Sequence, residues 1–331
     1  MNYFEKNSRE NNLDFIRLIA ATLVIYAHSY PLTQTYKENN IWGGLAVDIF
    51  FLISGFLITF SYERSKNIKD YLISRILRIY PALIFCFLIT VFLFGIIDTK
   101  LSINDYLKSK ETYTYFIGVT SLNFLQKYLP GVFEANFEHA VNGSLWTIKY
   151  EILCYISVIF SYNFLKKYKK TIPFLVIILY VLSVNTEGKY LTDLFHLLSV
   201  FYTGVFFFFF KDFIKLKLSF FAFTCLAMLI LIFNNEYSLA LFLCLPYIVF
   251  YLGYSSRIFS NFANKNDISY GVYIYGFTIQ QLVISQTNNS LSIFSHFLLS
   301  TSITFIFAFI SWRYIEKPAL NLKKKLLYKK I

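Results

Sequence analysis

LDFIRLIAATLVIYAHS, residues 13–29, and GGLAVDIFFLISGFLI, residues 43–58, decide the fold class of this 331-residue chain. With its flanks, each stretch reaches the roughly 20 mostly apolar residues that a bilayer-spanning helix needs. Each also carries ionisable groups that hydrocarbon tolerates only at a cost: Arg17 and His28 in the first, Asp48 in the second. The first stretch reads as a retained membrane helix and not a cleaved leader, because Asp14 and Arg17 interrupt its apolar run and no small-residue cleavage site follows.

Working outward, similar segments recur at about 79–98, 145–164, 172–187, 191–210, 218–234, 238–256, 268–285 and 291–312. With 13–31 and 44–62 they predict an all-α polytopic membrane protein of about ten transmembrane helices. Composition agrees, since 56% of residues are hydrophobic, 15% are charged and the mean hydropathy is +0.52. A soluble domain of this size needs more charge to cover its surface. Soluble, disordered and nucleic-acid-binding classes are thereby set aside. Cys86, Cys154, Cys225 and Cys244 lie in apolar runs without metal-ligand spacing, which predicts buried free thiols and no metal site. The run Phe206–Phe210 reads as lipid-facing bulk.

The net charge of +12 has a topological reading. With the N-terminus inside, the inner segments hold 23 of the 31 Lys and Arg residues, from Lys6 and Arg9 to Lys329 and Lys330, and the outer segments hold 7. Arg17 lies within the first span. Such alternation predicts cytoplasmic N- and C-termini. The chain then divides into an inner segment 1–12, a membrane domain 13–318 with one long outer loop at about 99–144, and a basic tail 319–331. Tyr115–Leu125 in that loop is apolar but too short to span.

The polar groups within spans are the functional candidates. Eleven residues separate Arg17 from His28, about three helical turns, which puts both on one face roughly 16.5 Å apart along the axis. That stripe suits a long anionic ligand entering from the cytoplasm. Asp48 lies at a depth similar to His28, and a His28–Asp48 contact would orient the imidazole for general-base work, or else form a structural interfacial pair. Gly43, Gly44, Ser54 and Gly55 permit close helix approach. Arg75 and Arg78 share a helix face and match phosphate oxygens, although positive-inside topology also accounts for them. Near the fourth span, Ser144, Trp146, Lys149 and Glu151 approach the outer surface; Glu151 is a catalytic candidate or one half of a structural ion pair. His196 and His296 read as structural, and His139 as a loop residue.

Taken in order, these segments resemble the acyltransferase-3 family of integral membrane acyltransferases, which includes bacterial O-antigen and exopolysaccharide O-acetyltransferases. The resemblance rests on LDFIRLIAATLVIYAHS, GGLAVDIFFLISGFLI, SRILRIYPAL, GSLWTIKYEI, DISYGVYIYGFTIQQ and YIEKP, which extend from residue 13 to 318. It implies an enzyme of the bacterial inner membrane that transfers an acyl group, usually acetyl from acetyl-CoA, to a hydroxyl of a lipid-linked or surface glycan. It implies no permanently bound cofactor. In this chain it implies catalytic roles for His28, Asp48 and Glu151, acetyl-CoA binding by Arg17, Arg75 and Arg78, and motif roles for Ser54, Gly55, Ser144, Trp146, Ser269, Tyr270 and Gly271. Lys149, Tyr150 and Gly276 depart from the family's pattern and leave acceptor detail open. The alternative reading is a non-enzymatic transporter or flippase for a glycan precursor, which would also need polar groups in its spans.

Overall fold

The computed structural model describes residues 11–35, 41–120, 126–255 and 267–328. Lys6, Arg9, Lys37, Arg257, Lys265, Lys329 and Lys330 of the charge count, and residues 121–125 of the apolar loop patch, lie outside the described residues. Among the described residues the secondary structure is helical throughout. This is the solution lipid enforces, because a helix satisfies its backbone groups within itself. The helices are α1 (Leu13–Leu32), α2 (Trp42–Arg64), α3 (Ile68–Ile89, continuing through a π turn to Asp98), α4 (Ile103–Lys108) and α5 (Lys110–Thr120). Then come α6 (Ile148–Lys167, entered through the 3₁₀ turn Ser144–Thr147), α7 (Ile172–Asn185), α8 (Lys189–Phe209), α9 (Leu218–Phe233) and α10 (Tyr237–Ser255). The last are α11 (Ser269–Thr287), α12 (Ile293–Ser311) and, after a second π turn, α13 (Lys317–Tyr328).

Each expected span falls on a helix, but six are individually long and apolar enough to cross a membrane: α1, α2, α3, α8, α10 and the continuous stretch Ile293–Lys323. The pair Ser144–Lys167 and Lys169–Asn185 passes only together, bent by 116°, which brings the number to seven. α9 falls short in length, with 16 residues. α11 has 19 residues but replaces aliphatic side chains with Ser, Tyr, Thr and Gln. α3 begins at Ile68, well before residue 79, so the helix extends ahead of the expected span and carries Arg75 and Arg78 within it.

The chain forms two compact units. The first comprises Met1–Ala20, Gly44–Ile68 and Tyr150–Lys265. At its centre α2 and α8 touch backbone to backbone. A Cβ on Gly55 would lie 1.9 Å from the Phe201 carbonyl oxygen, and one on Gly204 would lie 2.1 Å from that of Leu52. Only glycine fits such an approach. Residues 48, 52 and 56 of α2 meet residues 196, 204 and 208 of α8 in the same order, so the two helices run parallel. The Phe206–Phe210 run is not lipid-facing as expected: Phe207, Phe208 and Phe209 are buried, with Phe207 stacked on Phe250 of α10 and Phe208 against Phe56. The close Gly55–Gly204 contact leaves large aromatics to fill the wedge below it. The amide of Asn12 donates to the Gly253 carbonyl at 2.8 Å, tying the start of α1 to the end of α10.

The second unit comprises Ala21–Gly43, Lys69–Lys149 and Asn266–Ile331, with α11 as its core. Fifteen of the 19 α11 residues are buried, which is why its polar side chains survive: protein, not lipid, surrounds them. Gln280 donates to the Ile25 carbonyl at 2.8 Å and to Ser29 at 3.0 Å; Thr278 donates to Val141; Asn136 and Asn142 donate to the carbonyls of Gln281 and Ile274. The loop 126–143 is thus fastened along α11. α1 and α3 run parallel to α11, as the pairs Ile25–Gly276, Ser29–Gln280, Tyr270–Ile79 and Ser285–Asp98 require, while α12 runs antiparallel through Gly271–Ala308 and Gln280–His296. Cys86, Cys154 and Cys244 are buried free thiols, and Cys225 is half-buried.

Candidate active site

In the second unit, His28 sits half-buried on the last turns of α1. Its Nδ1 lies 2.9 Å from the Val24 carbonyl oxygen, one turn back. A carbonyl can only accept, so Nδ1 carries the proton and the lone pair of the neutral ring is on Nε2. The ring edge packs on Phe277 of α11, with centroids 5.1 Å apart at 80°. Phe277 is itself seated by Gly143, where a Cβ would come within 2.8 Å of the ring. His28 is therefore a fixed imidazole with one basic nitrogen.

Asp48 belongs to the first unit, and its partner is not the expected His28. Its Oδ1 lies 2.7 Å from Nε2 of His196 on α8. The expected pairing assumed that consecutive spans face each other with their polar groups. The glycine contact between α2 and α8 instead sets the register, with Asp48 two turns above Gly55 and His196 about two turns above Gly204. His196, read from sequence as structural for want of a partner, thus forms a carboxylate–imidazole dyad. No local spacing could have found it, since the two residues lie 148 positions apart. A small cavity with apolar walls, among them Leu52, Val200, Leu245 and Pro246, adjoins Asp48.

Arg78 and Arg17 are engaged with carboxylates. Arg78 Nη2 lies 2.5 Å from Asp267 and Nη1 3.9 Å from Glu316, with the Tyr270 and Trp312 rings each 6.0 Å from the guanidinium. Ser269 donates to Asp267 at 2.9 Å, Tyr270 donates to the Ile79 carbonyl at 3.2 Å, and Ser311 donates to Glu316 at 3.1 Å. Three motifs distant in sequence, SRILRIYP, DISYG and YIEKP, converge on this one cation. Arg17 pairs with Asp14 at 3.4 Å and lies 6.0 Å from the Phe50 ring. Arg75 is half-buried on the same helix as Arg78.

The remaining candidates separate into scaffold and surface. Glu151 accepts from Tyr155 one turn on, so its partner is a phenol and not a basic group of another helix. Ser144 is buried, bonded to Asn142 at 2.9 Å, and its carbonyl accepts from Tyr273. Gly271 packs against Ala308, where a Cβ would lie 2.9 Å from the Ala308 Cα. Ser54 is half-buried beside Gly55, and Trp146 is exposed.

The acyltransferase domain family model matches residues 10–313. An "O-acetyl transferase" of Shigella phage Sf6 is 30% identical over 335 residues, covering 95% of this chain and 97% of the relative. "Nodulation protein 10" of Rhizobium leguminosarum bv. viciae is 29% identical over 178 residues, covering 50% and 47%. No solved structure matches. The matched region takes in every helix from α1 to α12, the fixed His28 and five of the six motifs, and it stops just before YIEKP, so the chain belongs to the acyltransferase-3 family and is an integral membrane enzyme of the O-acetyltransferase type.

Proposed function

We propose that this enzyme moves an acetyl group from acetyl-CoA to a hydroxyl of a lipid-linked or surface glycan, working in the bacterial inner membrane. The observation that carries the reading is the fixed tautomer of His28, which leaves Nε2 as a base or nucleophile on a helix that also bears Arg17. The membrane domain 13–318 crosses ten times with both termini cytoplasmic. Helix directions support that topology. In the first unit, α2 and α8 run parallel, which requires an odd number of crossings between them. α3, α6 and α7 supply three, or α3 alone supplies one if the bent pair is re-entrant; a single broken α6–α7 span would make the number even. The cationic excess on the inner segments supports the orientation.

Acetyl-CoA enters from the cytoplasm with its phosphates toward Arg75 and Arg78. The two arginines divide the work. Arg75→Ala raises the KM for acetyl-CoA and spares kcat, the mark of lost uniform binding. Arg78→Ala leaves the buried Glu316 and the partly covered Asp267 without their cation and lowers stability by about 3 kcal/mol. Thermal melts in detergent beside acetyl-CoA kinetics separate the two, and equal effects would refute the division.

The test of the function is transfer of labelled acetyl from acetyl-CoA to glycan in membranes holding the enzyme. His28→Ala abolishes the label at unchanged membrane level. A transporter leaves no covalent label, so unlabelled glycan in wild-type membranes would overturn the proposal.

A further inference from the structure

From the first unit we infer an acceptor subsite: Tyr190, Asp193 and His196 line it along the first turns of α8, Asp48 backs it, and a sugar hydroxyl is its ligand. This inference deepens the proposed function and rests on it. Tyr190, Asp193 and His196 follow one another at three-residue spacing, which keeps them on one side of the helix. Burial increases along the row. Tyr190 is 51% exposed, the His196 side chain 35% and the Asp48 side chain behind it 3%. The Tyr190 ring lies beside that of Tyr150 of α6, with centroids 5.7 Å apart at 37°, and the residue is half exposed. Asp193 is half-buried between them, within electrostatic reach of both His196 and Tyr150.

A half-exposed aromatic residue, a carboxylate and an imidazole base in sequence form a surface for a polyhydroxylated ring. The apolar C–H face of a sugar packs on an aromatic ring, and its hydroxyls donate to carboxylates. The Asp48 carboxylate accepts from His196 Nε2, so the lone pair of the neutral ring is on Nδ1. Among the described residues, the cavity on the other side of that carboxylate is apolar but for Thr203, whose hydroxyl donates to the Ser199 carbonyl. The helices do not need the dyad to hold together, because the Gly55–Gly204 contact already does so.

In the transfer, the acceptor oxygen bonds to the carbonyl carbon of an acyl thioester. Its proton passes to Nδ1 of His196, and the resulting imidazolium is balanced by Asp48. The carbon–sulfur bond breaks with its electron pair on sulfur, which takes up a proton and leaves as the thiol. His196 then loses its proton to water.

The experiment uses the full-length enzyme in membrane vesicles, with labelled acetyl-CoA and a panel of p-nitrophenyl glycosides as acceptor probes. Tyr190→Ala raises the KM for glycoside about tenfold and leaves the KM for acetyl-CoA unchanged; Tyr190→Phe restores it, since only the ring face is used. His196→Gln, which keeps a donor to Asp48, lowers kcat at least tenfold with both KM values unchanged, and Asp48→Asn does the same to a lesser degree. His28→Ala is the parallel control. If it is inactive while Tyr190→Ala and His196→Gln behave as wild type, the subsite is refuted and the proposed function stands. If wild type labels no glycoside and no native glycan, the proposed function itself fails.

Discussion

His28 and His196 are each held by one acceptor through one ring nitrogen, but the acceptors differ in kind. His28 donates to a backbone carbonyl of its own helix, while His196 donates to a buried carboxylate on another helix. A carbonyl fixes the tautomer and contributes little charge. A carboxylate fixes the tautomer and also balances an imidazolium once the ring takes a proton. The first arrangement suits a group that attacks or is acylated, and the second suits one that collects a proton. The supports differ as well: His28 needs only local α-helix geometry and the Phe277 edge, whereas the dyad exists only while α2 and α8 keep their register.

The largest effect should come from deleting each ring. His28→Ala should lower kcat by at least about a hundredfold, near the lower limit for loss of an acid–base group. His196→Ala should cost less than His28→Ala, because water in the half-exposed subsite can carry the proton in its place. Equal losses would erase the functional distinction between the two sites. Radiolabel incorporation at matched membrane levels decides it.

The next effect separates a site that depends on two helices from one that depends on a single helix. A Cβ at Gly204 would meet the Leu52 carbonyl at 2.1 Å and the Phe56 nitrogen at 2.9 Å, and backbone cannot give way cheaply. Gly204→Ala should therefore force α2 from α8, lower the melting temperature through about 1–3 kcal/mol of overpacking, and reproduce the kcat loss of Asp48→Asn. At Gly276, the Cβ would meet the Ile25 Cγ1 at 2.9 Å and Cδ1 at 3.3 Å, side-chain atoms that can shift at lower cost than backbone. Gly276→Ala should be the milder change in both melting and rate. The reverse order would show that the dyad's register does not rest on the glycine contact.

This difference also explains what could be read in the chain. Hydrophobic runs located all ten helical segments, although six alone are individually long and apolar enough to cross a membrane, and the Arg17/His28 spacing was legible because both lie on one helix. α11 is less apolar than its neighbours for a physical reason: Tyr273, Gln280 and Gln281 find partners inside the protein, which hydropathy does not register. The same blindness hid the dyad. Asp48 pairs across two helices brought together by Gly55 and Gly204, and small residues spaced along two distant segments do not announce which segment they face. Arg78 was legible as a cation but not as the meeting point of three motifs, since that convergence exists only after α3, α11 and the turn after α12 have packed.

The smallest effect probes what the backbone carbonyl leaves undone at His28. A single hydrogen bond to Val24 fixes which nitrogen is protonated but lets the ring swing about that bond; the edge of Phe277, 5.1 Å between centroids, limits the swing. Aromatic pairs of this geometry contribute about 0.5–1.5 kcal/mol beyond area burial, which converts to roughly a two- to tenfold change in rate if it is spent on holding the reactive ring. Phe277→Leu keeps most of the apolar volume and removes the edge contact. It should lower kcat by that modest factor and leave both KM values unchanged. Gly143→Ala should act through the same ring, because its methyl would displace Phe277 from 2.8 Å contact, and the double variant should lose little more than Phe277→Leu alone. Additive losses would mean that Gly143 and Phe277 act separately, and that the Val24 bond by itself is enough to hold the catalytic ring.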